Sequence, residues 1–279
     1  MRDEAPLRLR PELMRSAART MFAYARDCVD RRMGRRHPFV LRLNQLSEFS
    51  DADLQSLDDL IELETTVKRR CDLVVDGYEY RKLCFVEDGY AARYKLLRNG
   101  KRQVITTVLP GDVVGLPGSF FQKAHYSVVA ITELRLQACS ITDFVDLCYR
   151  RPQFALALSW LAVQEAVSYG EHIVDIGRRT PIERVAHFLM ELHTRLSLVG
   201  RARGLTFELP FSQELMADAL GLSVPHVNRM LARLRADGLI SVIDHHVRFH
   251  DIERLRLLAH FQTPDVTRIP PAQASARTR

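Results

Sequence analysis

The cysteines and histidines are the residues of this 279-residue sequence with the widest chemical range. The five cysteines are widely scattered and form no C-x-x-C pair; they are Cys28, Cys71, Cys84, Cys139 and Cys148. A disulfide framework, a zinc site or an iron–sulfur cluster needs paired or closely placed thiols. We therefore predict reduced and mostly buried thiols, and none of these three kinds of site.

The histidines do not assemble the ligand set of a metalloenzyme. Enzymes built on cupin-type β-barrels hold one metal with a His-x-His pair, a carboxylate and a further histidine. The stretch that predicts a barrel here contains only His125. His245-His246 could bind a metal as a pair, but a polar loop tip is the plainer interpretation. No nucleophile–base arrangement or phosphate loop stands out, so the sequence predicts no catalytic residue, no metal site and no enzyme.

The segment Gln213–Ala232 has the spacing of a helix-turn-helix. Ala217 stands at its fifth position, where the two helices touch, and Gly221 at its ninth, where a positive φ costs glycine little. Apolar residues fill the positions that face the interior of such a unit: Met216, Leu220, Leu222, Val227 and Met230. Ser212 and Ser223 are predicted to cap the two helices. An ordinary helical hairpin is the alternative.

Residues at the start of the second helix are the candidates for reading DNA. Val224 and Pro225 offer apolar contacts, for instance to a thymine methyl group. Arg229 can bind a guanine or a phosphate, and His226 and Asn228 can bind bases or the backbone. The full set of predicted DNA-binding residues is Ser212, Gln213, Ser223, Val224, Pro225, His226, Asn228, Arg229 and Arg233.

Charge is distributed unevenly along the chain, whose net charge is +6. Residues 1–37 contain ten arginines and five acidic residues, and residues 38–177 contain fifteen basic and nineteen acidic residues. Residues 178–279 contain fifteen arginines, no lysine and ten acidic residues. A basic segment around a helix-turn-helix is the electrostatic footprint of a nucleic-acid-binding domain.

The stretch from about Val40 to Phe144 has the pattern of short apolar strands separated by turns. Asn99-Gly100 predicts a tight hairpin, and Pro110-Gly111-Asp112 predicts a further turn. Many short strands with regular turns indicate an antiparallel roll or barrel.

A long apolar helix is predicted from Pro152 to about Ile176. It contains the only tryptophan, Trp160, and more hydrophobic surface than one roll needs to cover. We therefore predict that it pairs with a second copy of itself, burial within the same chain being the alternative. Thr180-Pro181-Ile182-Glu183 is a capping box that starts the next helix, so a hinge lies between the two helices.

These patterns predict an α+β protein with an antiparallel β-roll, a long dimerisation helix and a C-terminal winged helix-turn-helix. The predicted segments are a basic helical extension (1–37), a β-roll sensor domain (38–149), the dimerisation helix (150–177), the winged helix-turn-helix (178–262) and a disordered tail (263–279). The extension either touches the DNA backbone or another anionic surface, or it is a helix packed on the body or a frayed terminus. The hairpin around Asp244-His245-His246 is the wing, which is expected to meet phosphates.

Nothing in the sequence predicts a membrane protein. The longest uncharged run, Pro152–Gln164, has thirteen residues, too few to span a bilayer. The N-terminus has basic residues but no apolar segment of the kind found in signal peptides. We therefore expect no membrane partner and a cytoplasmic location.

The succession of roll, long helix, hinge and winged helix-turn-helix resembles the Crp/Fnr superfamily of bacterial transcription regulators. The resemblance spans about residues 40–260 and is most specific in Gln213–Ile240, then in Asn99–Gly115. It implies a homodimer formed through the long helices, an effector bound to the roll, and recognition helices (223–235) that enter successive major grooves of a palindromic operator. It also implies double-stranded DNA and RNA polymerase as partners.

Some positions depart from the best-known members of that family. Those members have an arginine and a glutamate in the positions of Val224 and Pro225, so a different operator is expected. Members that bind cyclic nucleotides have Gly-Glu after the glycine turn and Arg-Ser or Arg-Thr beside the phosphate. Here Gly115-Leu116-Pro117-Gly118 lacks the carboxylate and His125-Tyr126-Ser127 lacks the arginine. A buried phosphate without a guanidinium would leave a charge uncompensated, so cyclic AMP is not expected.

The family's other cofactors are not expected either. Its oxygen sensors carry a cysteine cluster near the N-terminus, where this sequence has only Cys28, and His125 is the only roll histidine that could bind haem. The effector, if one exists, is unidentified, and the two stretches Gly115–Gly118 and His125–Ser127 are its candidate pocket. The alternatives are a cyclic-nucleotide- or haem-dependent regulator of the same family, or a β-roll binding module that does not act on DNA. Salt-dependent DNA binding would separate the last of these from the others.

Overall fold

The computed structural model describes residues 33–263, which form two packed β-sheets, a long helix and a C-terminal unit of helices and a small sheet. The predicted α+β class, with an antiparallel roll, a long helix and a winged helix-turn-helix, is confirmed. The predicted N-terminal extension and C-terminal tail lie outside the described residues, except for residues 33–37 and 263. In the described part of the chain, no helix is long and apolar enough to cross a membrane.

The helices are α1 (Pro38–Leu43), α2 (Asp51–Asp58), α3 (Ile141–Arg150), α4 (Pro152–Gly177), α5 (Pro181–Leu198), α6 (Gln213–Leu220), α7 (Val224–Ala236) and α8 (Ile252–Leu258). The strands are β1 (Leu63–Val67), β2 (Asp72–Val74), β3 (Lys82–Asp88), β4 (Ala91–Leu96), β5 (Arg102–Val108), β6 (Val113–Val114), β7 (Ser127–Ala130), β8 (Leu134–Ser140), β9 (Ala202–Arg203), β10 (Thr206–Glu208), β11 (Ile240–Ile243) and β12 (His246–Phe249). A single 3₁₀ turn, Leu116–Ser119, lies between β6 and β7.

The roll consists of two antiparallel sheets with strand orders β1-β8-β3-β6 and β2-β7-β4-β5. Their inner faces enclose a cluster of small and β-branched side chains, among them Val86, Val114 and Val128. Such side chains fit a pleated surface that is buried on its inner face. The predicted Asn99-Gly100 hairpin joins β4 to β5, and Gly100 has the positive φ (80°) that this tight turn requires.

The segment before β1 is helical, which corrects the prediction of strands from Val40 onward. His37 caps α1, because its Nδ1 accepts a hydrogen bond from the backbone N–H of Phe39 at 3.2 Å. Ser50 and Asp53 form a capping box at the start of α2, each side chain accepting from the other residue's backbone N–H. These capping signals, and not the local apolar content, determine the structure of the segment.

A second correction concerns α3, which begins at Ile141 although the sequence predicted a return to helix only near Arg150. The Ser140 hydroxyl accepts from the backbone N–H of Thr142 at 3.2 Å and so caps this helix. Ile141, Phe144 and Leu147 recur at helical spacing and are all buried. Strand β8 therefore runs directly into a helix that packs on the roll.

Helix α4 has two apolar faces of different exposure. Phe154, Ala157 and Leu161 are buried against the roll and the N-terminal helices. A second set follows a heptad spacing with exposed or half-buried side chains: Leu156, Trp160, Val163, Val167 and Val174. The helix ends at Gly177, and the next helix starts as predicted, because the Thr180 N–H donates to Glu183 Oε2 at 2.8 Å.

The C-terminal unit packs directly on the roll of the same chain. The rings of Tyr90, just before β4, and Phe211, just before α6, meet edge to face with centroids 5.8 Å apart. Arg102 of β5 forms an ion pair with Asp218 of α6 at 2.7 Å. The roll therefore holds the first helix of the helix-turn-helix by an apolar and an ionic contact.

A buried carboxylate joins three parts of the chain. Asp112, in the predicted Pro-Gly-Asp turn, pairs with Arg42 of α1 and with Arg195 of α5. Its second oxygen also accepts from the backbone N–H of Leu109 at 2.8 Å. Because a buried carboxylate must be compensated, the turn, the N-terminal helix and the winged unit depend on one another.

Candidate nucleic-acid interface

Helices α6 and α7 form the helix-turn-helix at the predicted positions. Gly221 stands between them with φ of 62°, a left-handed conformation that favours glycine. The Ser212 hydroxyl caps α6 by accepting from the Leu215 N–H at 3.2 Å. Buried residues of both helices, including Ala217 and Val227, fix their crossing within one core.

The predicted DNA-binding residues lie at the start of α6 and along α7. Val224 is half-buried, and the other eight are exposed: Ser212, Gln213, Ser223, Pro225, His226, Asn228, Arg229 and Arg233. The opposite side of α7 is fixed in the core by Val227, Leu231 and Leu234. The arrangement thus presents donors and apolar groups on one accessible face, while their roles in binding stay predictions.

Ser223 occupies the predicted N-cap position of α7 but makes no capping bond with its side chain. Its hydroxyl instead lies 3.2 Å from Nδ1 of His226, the third residue of the helix. This contact orients the imidazole, so that its Nε2 is the ring nitrogen left to a DNA base or phosphate.

The wing is a hairpin of β11 and β12 that pairs with β10. Asp244 and His245 form its turn with φ of 47° and 60°, and His246 Nδ1 lies 2.9 Å from the Asp244 carbonyl oxygen. Arg248 is exposed on the following strand. These residues are exposed, and their predicted contact with phosphates stays a prediction.

The candidate effector stretches have three different surroundings in the structure. Gly115 is packed so closely that an added Cβ would lie 2.0 Å from the Lys82 carbonyl oxygen. Packing therefore explains why glycine occupies this position, without any role in binding an effector. Leu116 packs on the helical cluster beside the roll, whereas His125 is exposed and meets the ring of Phe121 at 4.8 Å.

Tyr126 and Ser127, the last two residues of the second stretch, are engaged within the roll. Ser127 is buried and accepts from the Asp76 N–H at 3.0 Å. Tyr126 lies under the guanidinium of Arg93, with 4.5 Å between the Arg93 Cζ and the ring centroid. Burial raises the pKa of Tyr126 above its ordinary value.

Arg93 is a buried charge beside the candidate effector stretch His125–Ser127 that the sequence interpretation missed. This β4 residue is only 3% exposed; it pairs with Glu165 of α4 at 3.0 Å and donates to the Tyr169 hydroxyl. Burial is the largest single influence and would lower the pKa of Arg93, but the interactions with Glu165, Tyr126 and Tyr169 together outweigh it and raise the pKa. The sequence signal that could have indicated this residue is a single arginine between apolar neighbours in a predicted strand.

The cysteines agree only in part with the prediction of buried thiols. Cys84 and Cys139 are buried, and burial raises the pKa of these thiols to about 11 and about 12. Cys148 is half-buried, and Cys71, the residue before β2, is exposed. Cys28 lies outside the described residues.

Comparisons with known proteins agree with this geometry. A model of the Crp-like helix-turn-helix domain matches residues 183–258, and a model of the cyclic nucleotide-binding domain matches residues 64–151. The nitrogen fixation regulation protein FixK of Bradyrhizobium diazoefficiens is 32% identical over 174 residues, covering 62% of this chain and 72% of FixK. The transcriptional activator protein FnrL of Cereibacter sphaeroides is also 32% identical over 174 residues, covering 61% of this chain and 69% of FnrL.

A solved structure shows the same architecture. FixK2 from Bradyrhizobium japonicum superposes with a TM-score of 0.66 at 26% identity, covering 72% of this chain and 98% of FixK2. The roll, the long helix and the winged helix-turn-helix, together with these relatives, identify the chain as a DNA-binding transcription regulator of the Crp/Fnr superfamily.

Proposed function

We propose that this regulator acts as a homodimer in which each α7 enters the major groove of one half of a palindromic operator. The observation that carries the proposal is the face of α7. His226, Asn228 and Arg229 are exposed on it, whereas Val227 and Leu231 hold the opposite side in the core. A helix held by one side and open on the other has the geometry that major-groove reading requires.

The exposed heptad of α4 supports the homodimer. Leu156, Val163 and Gly170 are seven residues apart, as are Trp160, Val167 and Val174. Two sets offset in this way form the a/d seam of a coiled coil. Gly170 is exposed, and an added Cβ there would meet no atom within 4 Å outside its neighbours and its own helix backbone, so a second helix can approach closely.

A cyclic nucleotide is a poor fit for the roll. The buried guanidinium beside Tyr126 belongs to Arg93, and its charge is already compensated by Glu165. A bound phosphate would have to compete with that carboxylate in a buried setting, at a cost of several kcal/mol. Nor does exposed His125, with its ring against Phe121, offer an enclosed haem pocket. Any effector of the roll is therefore expected to be of another class.

RNA polymerase is the proposed protein partner. Two relatives, FnrL and the AadR protein of Rhodopseudomonas palustris (33% identical), are named as transcriptional activators. Activators act through contact with the transcription machinery, and this chain is about a third identical to both over some 175 residues.

The test is selection of bound DNA from a random duplex pool by the purified full-length protein with nothing added. Enrichment of a palindrome with half-sites about one helical turn apart, roughly 10 base pairs, would support dimeric groove reading. A single unpaired half-site would contradict the homodimer. Binding without sequence preference or salt dependence would contradict operator reading.

A further inference from the structure

His187 is a buried histidine of α5 whose two ring nitrogens both face carboxylates of α4. Its Nδ1 lies 3.1 Å from Oδ2 of Asp175, and its Nε2 lies 3.4 Å from Oε2 of Glu171. His187 and Asp175 are each 3% exposed, whereas the Glu171 side chain is 46% exposed. The imidazole thus joins the first half of α5 to the end of α4, across the hinge between these helices.

This pair of contacts requires an imidazole that carries two protons. A neutral imidazole has one N–H and one lone pair, so one of its nitrogens would direct a lone pair at a carboxylate oxygen. That repulsion is costly in a buried setting, because little solvent screens it. An imidazolium has an N–H on both nitrogens and is attracted to both acids.

The charges around His187 balance only when the imidazole is protonated. Arg179, in the hinge, pairs with Oδ1 of Asp175 at 2.8 Å and with Oε2 of Glu171 at 2.7 Å. In this hinge cluster of His187, Arg179, Asp175 and Glu171, two carboxylates and one guanidinium leave one negative charge, which the imidazolium neutralises. The neighbouring histidine of α4, His172, does not supply the missing charge, because burial lowers its pKa.

The other groups near His187 are an aromatic ring and side chains that have partners of their own. The ring of Phe261, in the segment after α8, packs on the imidazole with centroids 5.3 Å apart. On α5 itself, Glu191 pairs with Arg195 at 3.2 Å, and the Arg184 guanidinium donates to backbone carbonyls. The charge of His187 therefore depends on the carboxylates and the guanidinium of the hinge cluster.

The hinge cluster is connected to the helix-turn-helix through the backbone at Arg179. The Arg179 carbonyl accepts from Nε of Arg184 at 2.9 Å, and Nη1 of Arg184 donates to the Leu220 carbonyl at 3.0 Å. Leu220 ends α6 and directly precedes Gly221, the glycine of the turn. Helix α5 also shares one hydrophobic core with α7. A change in the packing of α5 on α4 is therefore transmitted to both helices of the helix-turn-helix.

We propose that the imidazolium of His187 is a positioning group for operator binding, which holds α5 and the helix-turn-helix on the end of α4. The proposal rests on operator binding by α7. When His187 loses its proton, the hinge cluster keeps one uncompensated negative charge, and the contact between α4 and α5 weakens. Operator binding and protonation of His187 thus favour each other, so the regulator binds its operator less tightly as the pH rises.

The ring nitrogens of His187 can be observed directly by NMR, in full-length protein with ¹⁵N-labelled histidine and no DNA. The resonances of His187 are identified by their absence from the variant His187→Gln. At about pH 7, both nitrogens are expected at the chemical shift of protonated nitrogen. One protonated and one unprotonated nitrogen would overturn the proposal, whatever the protein does with DNA.

Gel-shift titration with the selected operator tests the role of the charge. His187→Gln has a neutral polar side chain and should weaken operator binding about tenfold. Adding Glu171→Gln removes one negative charge, so the hinge cluster is neutral again and the affinity should return to within about threefold of wild type. His260→Asn is the control, because it removes an exposed histidine beside α5 at a left-handed position that asparagine tolerates.

The pH profile separates this effect from that of the histidines on the wing and on α7. His226, His245 and His246 are exposed there and are present in wild type and in the double variant alike. Between about pH 6 and about pH 9, wild type should lose operator affinity, and the double variant should lose several-fold less. Wild-type binding at about pH 6 tests operator reading by itself, so failure of the proposed function is recognised separately.

Three results of the binding experiments would overturn the proposal. One is wild-type affinity of His187→Gln. Another is a weakened His187→Gln whose affinity Glu171→Gln does not restore, because the ring would then matter for packing and not for charge. The third is an equal loss of affinity by wild type and the double variant as the pH rises.

Discussion

At the scale of single residues, Arg229 lies on the exposed side of α7 and can donate to two acceptors at once. We expect Arg229→Ala to weaken operator binding by about 1–3 kcal/mol, because a guanidinium contact to a guanine or a phosphate is lost. Gel-shift titration with the selected operator measures the change. Arg150→Ala, which removes the same charge from α3 of the N-terminal part, is the matched control. Wild-type affinity of Arg229→Ala would show that this residue does not contact the operator.

His37 gives a prediction for stability against pH. Burial lowers its pKa to about 4, and its Nδ1 caps α1 as an acceptor, a role that needs the neutral ring. The unfolded chain binds the proton near the ordinary pKa of about 6.5. The free energy of unfolding should therefore be insensitive to His37 above about pH 6.5, and fall as pH drops from there toward 4.

The matched variant for this effect is His37→Asn, which keeps a good N-cap but does not titrate. Between about pH 7 and pH 5, wild type should lose about 2 kcal/mol more stability than the variant. Urea unfolding of both proteins at the two pH values measures the difference, since other groups titrate alike in both. Equal losses would mean that His37 is protonated in the folded state at pH 5.

At the scale of elements, α4 should determine the oligomeric state. Val163 and Val167 are 62% and 52% exposed on its heptad face. We expect Val163→Asp to convert the proposed dimer to a monomer, because an aspartate at a seam position would be buried beside its own copy. Light scattering measures the mass. Leu97→Asp, at a residue 53% exposed in the β4–β5 hairpin, is the control and should stay dimeric.

Elements with strong local signals were predictable from the sequence. The helix-turn-helix was placed correctly because glycine at the turn and the helix caps agree with the apolar spacing. Helices α1 and α2 were missed because their apolar residues are as dense as those of strands, and only His37 and Ser50 indicate helix starts.

Contacts between elements were not predictable in the same way. The pair of Arg93 and Glu165 joins residues 72 positions apart, and nothing in either local pattern indicates the other. The same is true of Arg102 and Asp218, which attach the helix-turn-helix to the roll. The predicted DNA-binding residues belong to one local motif. The surroundings of the predicted effector stretches depend instead on contacts between segments that are far apart in the sequence.

At the scale of the whole molecule, the roll and the winged unit share contacts that should make them unfold together. Aromatic and ionic contacts cross the boundary, and Asp112 holds Arg42 and Arg195 from either side of it. Trp160, the only tryptophan, packs on the cluster between the roll and the N-terminal helices, so its fluorescence reports that part and the proposed pairing of α4, but not the winged unit. Circular dichroism reports the helices of both parts.

We expect one urea transition for wild type, with fluorescence and circular dichroism coincident at fixed protein concentration. Asp112→Ala should lower stability by about 3 kcal/mol, because two largely buried arginines lose their shared carboxylate. In this variant the fluorescence and circular dichroism transitions should also occur at different urea concentrations, since the roll and the winged unit then depend less on one another. Asp146→Ala, which removes an exposed carboxylate of α3, should leave the signals coincident. Coincident transitions in Asp112→Ala would mean that the apolar contact of Tyr90 with Phe211 suffices to couple the two parts.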